Sequence, residues 1–382
     1  MKKILFLNGR TIYPYALGGD LISAWYVFKI LSKKFKIQII APIDPQYSFK
    51  VDERNILTHL RNSDVKFCDS SNYLKCKLIK SSGLIKPQFY QQINYFENGC
   101  NYRLINNPFL LDEFKNYLEK DRPDLIITQM ELSEKVLEIG ANYGIKTVLF
   151  IHDVMKTTYN YLEAAEKYKC SLVIFNSYFC QSKFKNFEGK SLVIYPLIGN
   201  CKPNNIVVDR TKNKYITMIN PIRIKGGQLL KKIIEIMQDQ KFLIVEGWYD
   251  SKIDNISFDG YPNVISLSSQ INMSKVYGKT KLLLVPTKIE EGFGRVVVEA
   301  QAYGIPVIAS NKGGLKESVG LGGYNIENIN NVQDWINKID KVLNNARLYN
   351  KLSNLAQVNS KKFTIKNNED NVVEIFKKVL NE

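Results

Sequence analysis

Residues 288–310 read KIEEGFGRVVVEAQAYGIPVIAS, directly after KLLLVP at 281–286, a short apolar run that predicts a strand. Gly292 and Gly294 open a turn, RVVVEAQAYG has the period of a helix that stops at Gly304 ahead of Pro306, and PVIAS predicts the next strand. Strand, glycine turn, helix, strand is the repeating unit of a parallel α/β sheet, whose binding edge lies outside the carboxyl ends of the strands. A helix start beside two glycines points backbone N–H groups at that edge, a setting suited to a phosphate or diphosphate. Glu291 and Glu299 flank the turn. Ionised carboxylates only accept hydrogen bonds, so they suit the hydroxyls of sugar rings on either side of such a diphosphate. The same residues also describe an ordinary helix start, with acids complementing the dipole and Glu299 paired to Arg295.

Working outward, the same alternation fills the chain. Before the quoted stretch lie YITMIN at 215–220, KFLIVEG at 241–247 and NVISLS at 263–268. The first half holds KILFLN at 3–8, IQIIA at 37–41, DLIITQ at 124–129, TVLFIHD at 147–153, SLVIFNS at 171–177 and SLVIYP at 191–196. These runs are rich in Val, Ile and Leu without strict alternation, as expected of strands covered by helices on both faces. Between the two series, PLIGNCKPNNIVVDRTKNK at 196–214 carries Pro, Gly, Asn and charge without an apolar period and predicts a connection. The fold class is therefore α/β, with two doubly wound domains at 1–196 and 212–361 and an amphipathic helix at the end, within 362–382.

The bulk numbers agree. A chain of 382 residues, 45% hydrophobic and 24% charged, is ordinary globular material for two domains at roughly 150 residues each. Six cysteines without a C-x-x-C spacing signal neither a zinc cluster nor a redox pair, and no metal site is expected. The apolar run of MKKILFLNGR ends at Asn8, short of a signal-peptide core, and no stretch approaches the roughly 18 apolar residues of a membrane span, so a cytoplasmic location is expected. The net charge of +16 favours an anionic partner without choosing among nucleic acid, anionic lipid and phosphorylated small molecules.

VPTKIEEGFGRVVVEAQAYGIPVIASNKGGLKESV, residues 285–319, resembles the signature region of the retaining glycosyltransferases of family 4. Glu291, the seven residues after it and Glu299 match that family's E-x7-E motif, and the likeness continues through Gly313, Gly314 and Glu317. The resemblance implies the GT-B fold, in which two Rossmann-like domains face a central cleft and the C-terminal helix returns to the first domain. It implies a nucleotide-sugar donor, UDP-linked, and a glycan or lipid-linked acceptor.

It also implies residues. Gly18 and Gly19 stand where the family has a Gly-Gly turn near the donor phosphates, His152 lies against the donor sugar, and Lys225 in INPIRIKGG neutralises the diphosphate. Gly292, Phe293, Gly294 and Arg295 complete the donor contacts, with Glu291 on the donor sugar and Glu299 on the ribose. One departure stands out: where many relatives carry an arginine before the lysine loop, this chain reads Met218, Ile219, Asn220, leaving Arg223 to substitute.

Sugar transfer from a nucleoside diphosphate builds negative charge on the leaving phosphate, which Lys225, Arg223 and the helix-start amides would stabilise electrostatically. No divalent ion or other cofactor is then required, and the chain contains no D-x-D. The family's retention of configuration is usually ascribed to front-face substitution, so neither glutamate is read as a nucleophile. A non-catalytic nucleotide-sugar-binding or membrane-associated scaffold protein on the same fold is the alternative.

A second signal lies in residues 65–110, where Lys66, Lys75, Lys77, Lys80, Lys86 and Arg103 interleave with Tyr73, Phe89, Tyr90, Tyr95, Phe96 and Tyr102. Residues 1–110 hold 16 Lys and Arg against 7 Asp and Glu, a net +9 and more than half the chain's excess. A solvated face over a partly aromatic core explains this first, and contact with the anionic inner face of the plasma membrane comes next. Nucleic acid is not the expected partner.

Overall fold

The structure, a computed structural model, describes residues 1–43, 53–63, 65–81, 84–199, 213–247 and 256–382, with side chains left out at 53–55, 73–74 and 79–86. Most of the expected connection at 196–214, Cys201 included, and the side chains of Tyr73, Lys80 and Lys86 lie outside the described residues. The chain divides into two compact units. One comprises Met1–Phe175, Phe184–Ile194 and Glu369–Glu382, and the other Asn176–Lys183 and Tyr195–Asn368.

The first unit holds strands β1 (Lys3–Asn8), β2 (Lys36–Pro42), β3 (Phe67–Ser81), β4 (Leu84–Glu97), β5 (Cys100–Ile105), β6 (Leu125–Gln129), β7 (Lys146–Ile151), β8 (Leu172–Phe175) and β9 (Ser191–Val193). Its helices are α1 (Gly19–Leu31), α2 (Glu53–Asn62), α3 (Leu110–Lys120), α4 (Ser133–Asn142) and α5 (Lys156–Lys167). The helix α6 (Tyr178–Lys183) belongs to the second unit. That unit continues with strands β10 (Tyr215–Ile219), β11 (Lys241–Val245), β12 (Val264–Leu267), β13 (Thr280–Val285), β14 (Val307–Ser310) and β15 (Gly323–Ile326). Its further helices are α7 (Gly227–Ile236), α8 (Ser274–Tyr277), α9 (Arg295–Ala302), α10 (Leu315–Val319), α11 (Val332–Leu343) and α12 (Ala346–Lys361). The last helix, α13 (Ile365–Asn381), starts in the second unit and runs through Glu369–Glu382 of the first.

The second unit is a six-stranded sheet in the order β12-β11-β10-β13-β14-β15, parallel throughout. The order reverses at β10, where a doubly wound sheet opens its ligand-binding edge. The four inner strands β11, β10, β13 and β14 are buried along most of their length, and Trp335 of α11 sits fully buried in the core on one face, among Ile233, Leu284 and Ile308. Val297 and Ala300 of α9 pack on the other face beside Leu283 and Val307.

The first unit has nine strands in the order β3-β4-β5-β2-β1-β6-β7-β8-β9. From β5 to β9 they pair in parallel, whereas β3, β4 and β5 are antiparallel to one another. Phe376 of α13 is buried in this unit, 6.5 Å from the ring of Phe150 on β7.

The long hairpin β3–β4 occupies the segment whose apolar pattern was irregular, for two physical reasons. A register shift between Asn72 and Cys76 moves β3 half a period, and Gln91 and Gln92 place one glutamine on each face of β4. Pro87 is tolerated because β5 pairs with β4 only from Gln92 to Glu97, leaving β4 flanked on one side alone at Pro87.

Asn176–Lys183, which a boundary at 196 assigns to the first half, groups with the second unit through polar contacts. Ser177 Oγ donates to the Gly292 carbonyl at 2.5 Å and accepts from the Cys180 amide at 2.9 Å. The Glu317 carboxylate accepts from the Tyr178 amide at 3.0 Å, the Phe179 amide at 2.6 Å and the Tyr195 hydroxyl at 2.8 Å. Glu317 thus caps the start of α6 from a helix far along the chain.

Candidate functional site

In the second unit three loops meet at the carboxyl ends of β10, β13 and β14. The chain leaves β10 through Asn220, whose φ of 56° is the left-handed conformation that asparagine tolerates well, and enters a tight turn at Arg223–Lys225. Two glycines follow because nothing larger fits: a Cβ at Gly226 would collide with the Pro286 carbonyl, and one at Gly227 with the Pro221 carbonyl. The Lys288 amide donates to the Ile224 carbonyl at 2.9 Å, tying this loop to the one after β13.

The loop after β13 is tied in turn to the one after β14. Glu291 and Gly313 form a β-bridge, the Gly314 amide donates to the Glu291 carbonyl at 2.8 Å, and a Cβ on Gly313 or Gly314 would strike the backbone of Glu291 or Gly292. Gly294, at φ 87°, then turns the chain into α9.

This backbone framework brings Lys225 and Glu291 together as an ion pair, Nζ to Oε1. Both side chains are largely buried, so the pair exchanges charge compensation in a setting less screened than open surface. Glu299 sits about one turn into α9 with both oxygens engaged: Arg295 Nε lies 2.7 Å from Oε1, and the Tyr277 hydroxyl donates to Oε2 at 2.9 Å. A carboxylate has about four lone-pair positions, so Glu299 keeps capacity for further donors. Arg295 is held from its other end by the Leu197 carbonyl at 2.5 Å.

Two predicted donor residues stand differently. Phe293 is buried, packed on Phe363 at 5.2 Å and Tyr195 at 5.3 Å, so its ring is core and only its backbone faces the loop edge. Arg223 is exposed and makes no ion pair among the described residues. Three polar residues here were not read as site residues from the sequence: the Asn220 Oδ1, Thr287 Oγ1 and Ser310 Oγ atoms are buried without a hydrogen-bond partner among the described residues. They end or follow β10, β13 and β14, three neighbouring strands, which is the only signal that could have marked them.

In the first unit the polar residues are held to one another mainly by side-chain contacts. Gly18 caps α1 in extended conformation, and at Gly19, which is exposed, a Cβ would meet nothing within 4 Å. Arg10, just past β1, forks onto Glu131 after β6, with Nη2 to Oε1 at 2.5 Å and Nε paired with Oε2. Its Nη1 lies 3.4 Å from Asp20 in the first turn of α1.

His152 follows β7, and its Nε2 is 2.8 Å from Gln129 Oε1 at the end of β6. Burial pushes the imidazole below its ordinary pKa, against the pull of Asp20 and Asp153 and helped by Arg10, so the ring is neutral near pH 7. Asp153 is committed locally: it accepts from the Met155 amide at 3.0 Å and the Thr158 hydroxyl at 2.6 Å at the start of α5. Among the described residues no group of three or more His, Cys, Asp or Glu is placed to hold a metal ion, and no helix is long and apolar enough to cross a membrane.

With this geometry in view, residues 205–358 match the model of the family described as glycosyl transferases group 1. Over those residues the chain is similar to the glycosyl transferases group 1. An uncharacterized glycosyltransferase of Methanocaldococcus jannaschii is 30% identical over 197 residues, covering 48% of this chain and 54% of that protein. The chain therefore spans about half the length of that curated relative.

Solved structures share the fold over the whole length. Sucrose-phosphate synthase from Thermosynechococcus elongatus superposes with a TM-score of 0.74 at 16% identity, covering 100% of both chains. Anabaena HepE in complex with UDP-glucose superposes with a TM-score of 0.68 at 17% identity, covering 99% of this chain and 100% of that one. These likenesses establish the GT-B fold that the glycosyltransferase signature implies.

Proposed function

We propose that this protein is a retaining glycosyltransferase that moves a sugar from a UDP-linked donor to a hydroxyl of a glycan or lipid-linked acceptor. The observation that carries the reading is the Lys225–Glu291 pair, set by three interlocked loops beside the helix start at Gly294–Arg295. In the resting state these two groups neutralise one another. A donor diphosphate takes Lys225, which frees Glu291 to accept from the donor sugar's hydroxyls. The α9 amides add partial positive charge toward the leaving phosphate, and Glu299, held by Arg295 and Tyr277, serves the ribose.

A divalent ion is not needed for this charge balance, and front-face substitution suits a site where the departing phosphate itself takes the acceptor proton. His152, neutral and partly buried in the first unit, serves as an uncharged partner for the donor sugar. The bound UDP-glucose named for the HepE structure supports the choice of a UDP-linked donor.

The test is release of nucleoside diphosphate from a panel of UDP- and GDP-sugars incubated with the protein and an acceptor extract. UDP release that depends on Lys225 and Glu291 is expected. Binding of UDP without release would favour the scaffold reading, which the absence of an arginine from Met218, Ile219 and Asn220 supports.

The expected contact with an anionic membrane narrows to one face of the β3–β4 hairpin. Lys77 is spent on the Pro108 carbonyl at 2.7 Å and Asp112 at 2.6 Å, Arg103 on Glu113 at 3.2 Å, and Lys75 lies over the Tyr90 ring at 4.2 Å. On the opposite face Leu78 and Phe89 are exposed, at 74% and 43%. Flotation with phosphatidylglycerol vesicles that is lost in a Leu78→Ser, Phe89→Ser double variant would support this contact, and flotation unchanged by it would remove it.

A further inference from the structure

We propose that Gln129 is a positioning residue for His152: its side-chain carbonyl accepts the imidazole Nε2–H and fixes the ring in that tautomer. The proposal rests on the reading of His152 as a donor-sugar residue.

Gln129 is fully buried at the last position of β6, and His152 is the first residue past β7, the neighbouring strand. Their side chains meet at 2.8 Å, so an amide with no charge of its own sets the imidazole's orientation. A neutral imidazole carries one N–H and one lone pair, and the hydrogen bond made at one nitrogen decides the character of the other. With Oε1 as acceptor, Nε2 bears the proton and Nδ1 is the lone-pair nitrogen, able to accept from a sugar hydroxyl. A carboxylate in place of the amide would draw a second proton onto the ring; the amide does not.

The orientation of the Gln129 amide has independent support. Its Nε2 is buried without a partner among the described residues, and so is Oδ1 of Asn8, which is fully buried at the paired position in the β1–β6 register. A spare donor and a spare acceptor on adjacent strands match one another across a single bridging hydroxyl or water. Reversing the amide would set two carbonyl oxygens in those places. Asn8 is itself anchored, its Nδ2 donating to the Arg10 carbonyl at 2.7 Å. Asn8, Gln129 and His152 thus form a polar row across the ends of β1, β6 and β7.

The backbone after Gln129 is shaped to keep it there. Met130 and Leu132 both hold positive φ, 53° and 67°, conformations that cost a non-glycine residue about 1 kcal/mol each. The turn they make sends Glu131 back onto the Arg10 fork while leaving Gln129 inward. The charged groups that face the imidazole are Asp20, Asp153 and Arg10.

The chain has two histidines, His59 and His152, so selective 15N-histidine labelling gives two imidazole patterns, and a His59→Gln variant assigns them. Long-range proton–nitrogen correlation on the whole protein is expected to show His152 neutral and protonated on Nε2. Gln129→Met, which keeps the volume and removes the acceptor, should give a mixed or reversed tautomer and lower kcat/KM roughly tenfold, the worth of one neutral hydrogen bond. Gln129→Glu should move the acid limb of the pH–rate profile upward.

An Nδ1–H tautomer in the unaltered protein, or a Gln129→Met pattern identical to it, would overturn the proposal. Because the tautomer is read without substrate, a protein that turns over no nucleotide sugar would count against the transferase reading and leave this measurement decisive for Gln129.

Discussion

The two units build their polar edges by different means. In the second, three loops are locked by backbone: Lys288 to Ile224, Gly314 to Glu291, and glycines at 226, 227, 313 and 314 that permit approaches no side chain would allow. The first unit relies on side chains, with Arg10 gripping Glu131 and Asp20, and Gln129 gripping His152. A backbone-built edge tolerates loss of one side chain without moving its neighbours. A side-chain-built edge fails as a network, because each group orients the next. Mutations in the second unit should therefore separate cleanly into stability or activity, whereas those in the first should mix the two.

The sharpest test of that separation is Phe293→Ala. It removes a buried ring from the Phe363–Tyr195 cluster and should cost about 3–5 kcal/mol in chemical denaturation, with UDP affinity of the folded fraction unchanged. Lys225→Ala should do the reverse, lowering kcat/KM by about 10²–10³-fold with a smaller loss of stability than Phe293→Ala, since it leaves Glu291 without its counter-charge. Arg223→Ala serves as its comparison. An equal loss would show that Arg223 shares the diphosphate with Lys225, and a loss below about tenfold would show that it is a solvated loop cation.

A third variant, Glu317→Gln, weakens a carboxylate that accepts from two α6 amides and the Tyr195 hydroxyl. It should cost about 1.5–3 kcal/mol, read by denaturation. In this setting burial and the Glu317 hydrogen bond hold the Tyr195 phenol well above its ordinary pKa, so no titration of Tyr195 intervenes below pH 9.

The smallest effect belongs to His152. Its folded-state pKa lies below that of the unfolded chain, so between those two values the unfolded state binds more protons and stability rises with pH. His152→Gln should flatten that rise below the ordinary imidazole value of about 6.5, as read by chemical denaturation across pH.

The same contrast explains what the sequence made legible. The second unit's edge was readable because its geometry demands glycine, and glycine at fixed spacing is visible in a sequence: Gly226–Gly227, Gly294 and Gly313–Gly314 all occupy positions where a Cβ collides or φ is positive. Lys225, Glu291 and Glu299 could be named because they ride on that frame. Phe293 was named for its place in the motif, but its ring turns inward, since nothing in one sequence tells a loop phenylalanine that faces ligand from one that faces core.

In the first unit the network draws on Arg10, Asp20, Gln129, Glu131 and His152, ordinary residues spread over three strand-to-helix junctions with no common spacing. Only His152 and the Gly18–Gly19 turn were legible. The β3–β4 hairpin was missed for a related reason. Its bulge breaks the two-residue period, and much of its charge is consumed by α3 rather than displayed.

The central claim is that the interlocked loops of the second unit form a diphosphate site whose resting counter-charge is Glu291. Calorimetric titration of UDP into the unaltered protein and into Lys225→Ala tests it most directly. The account predicts binding by the unaltered protein and an affinity about 10- to 100-fold weaker in the variant, as expected for loss of one charge-assisted contact. No binding of UDP by the unaltered protein, or equal affinity in the two, would contradict it.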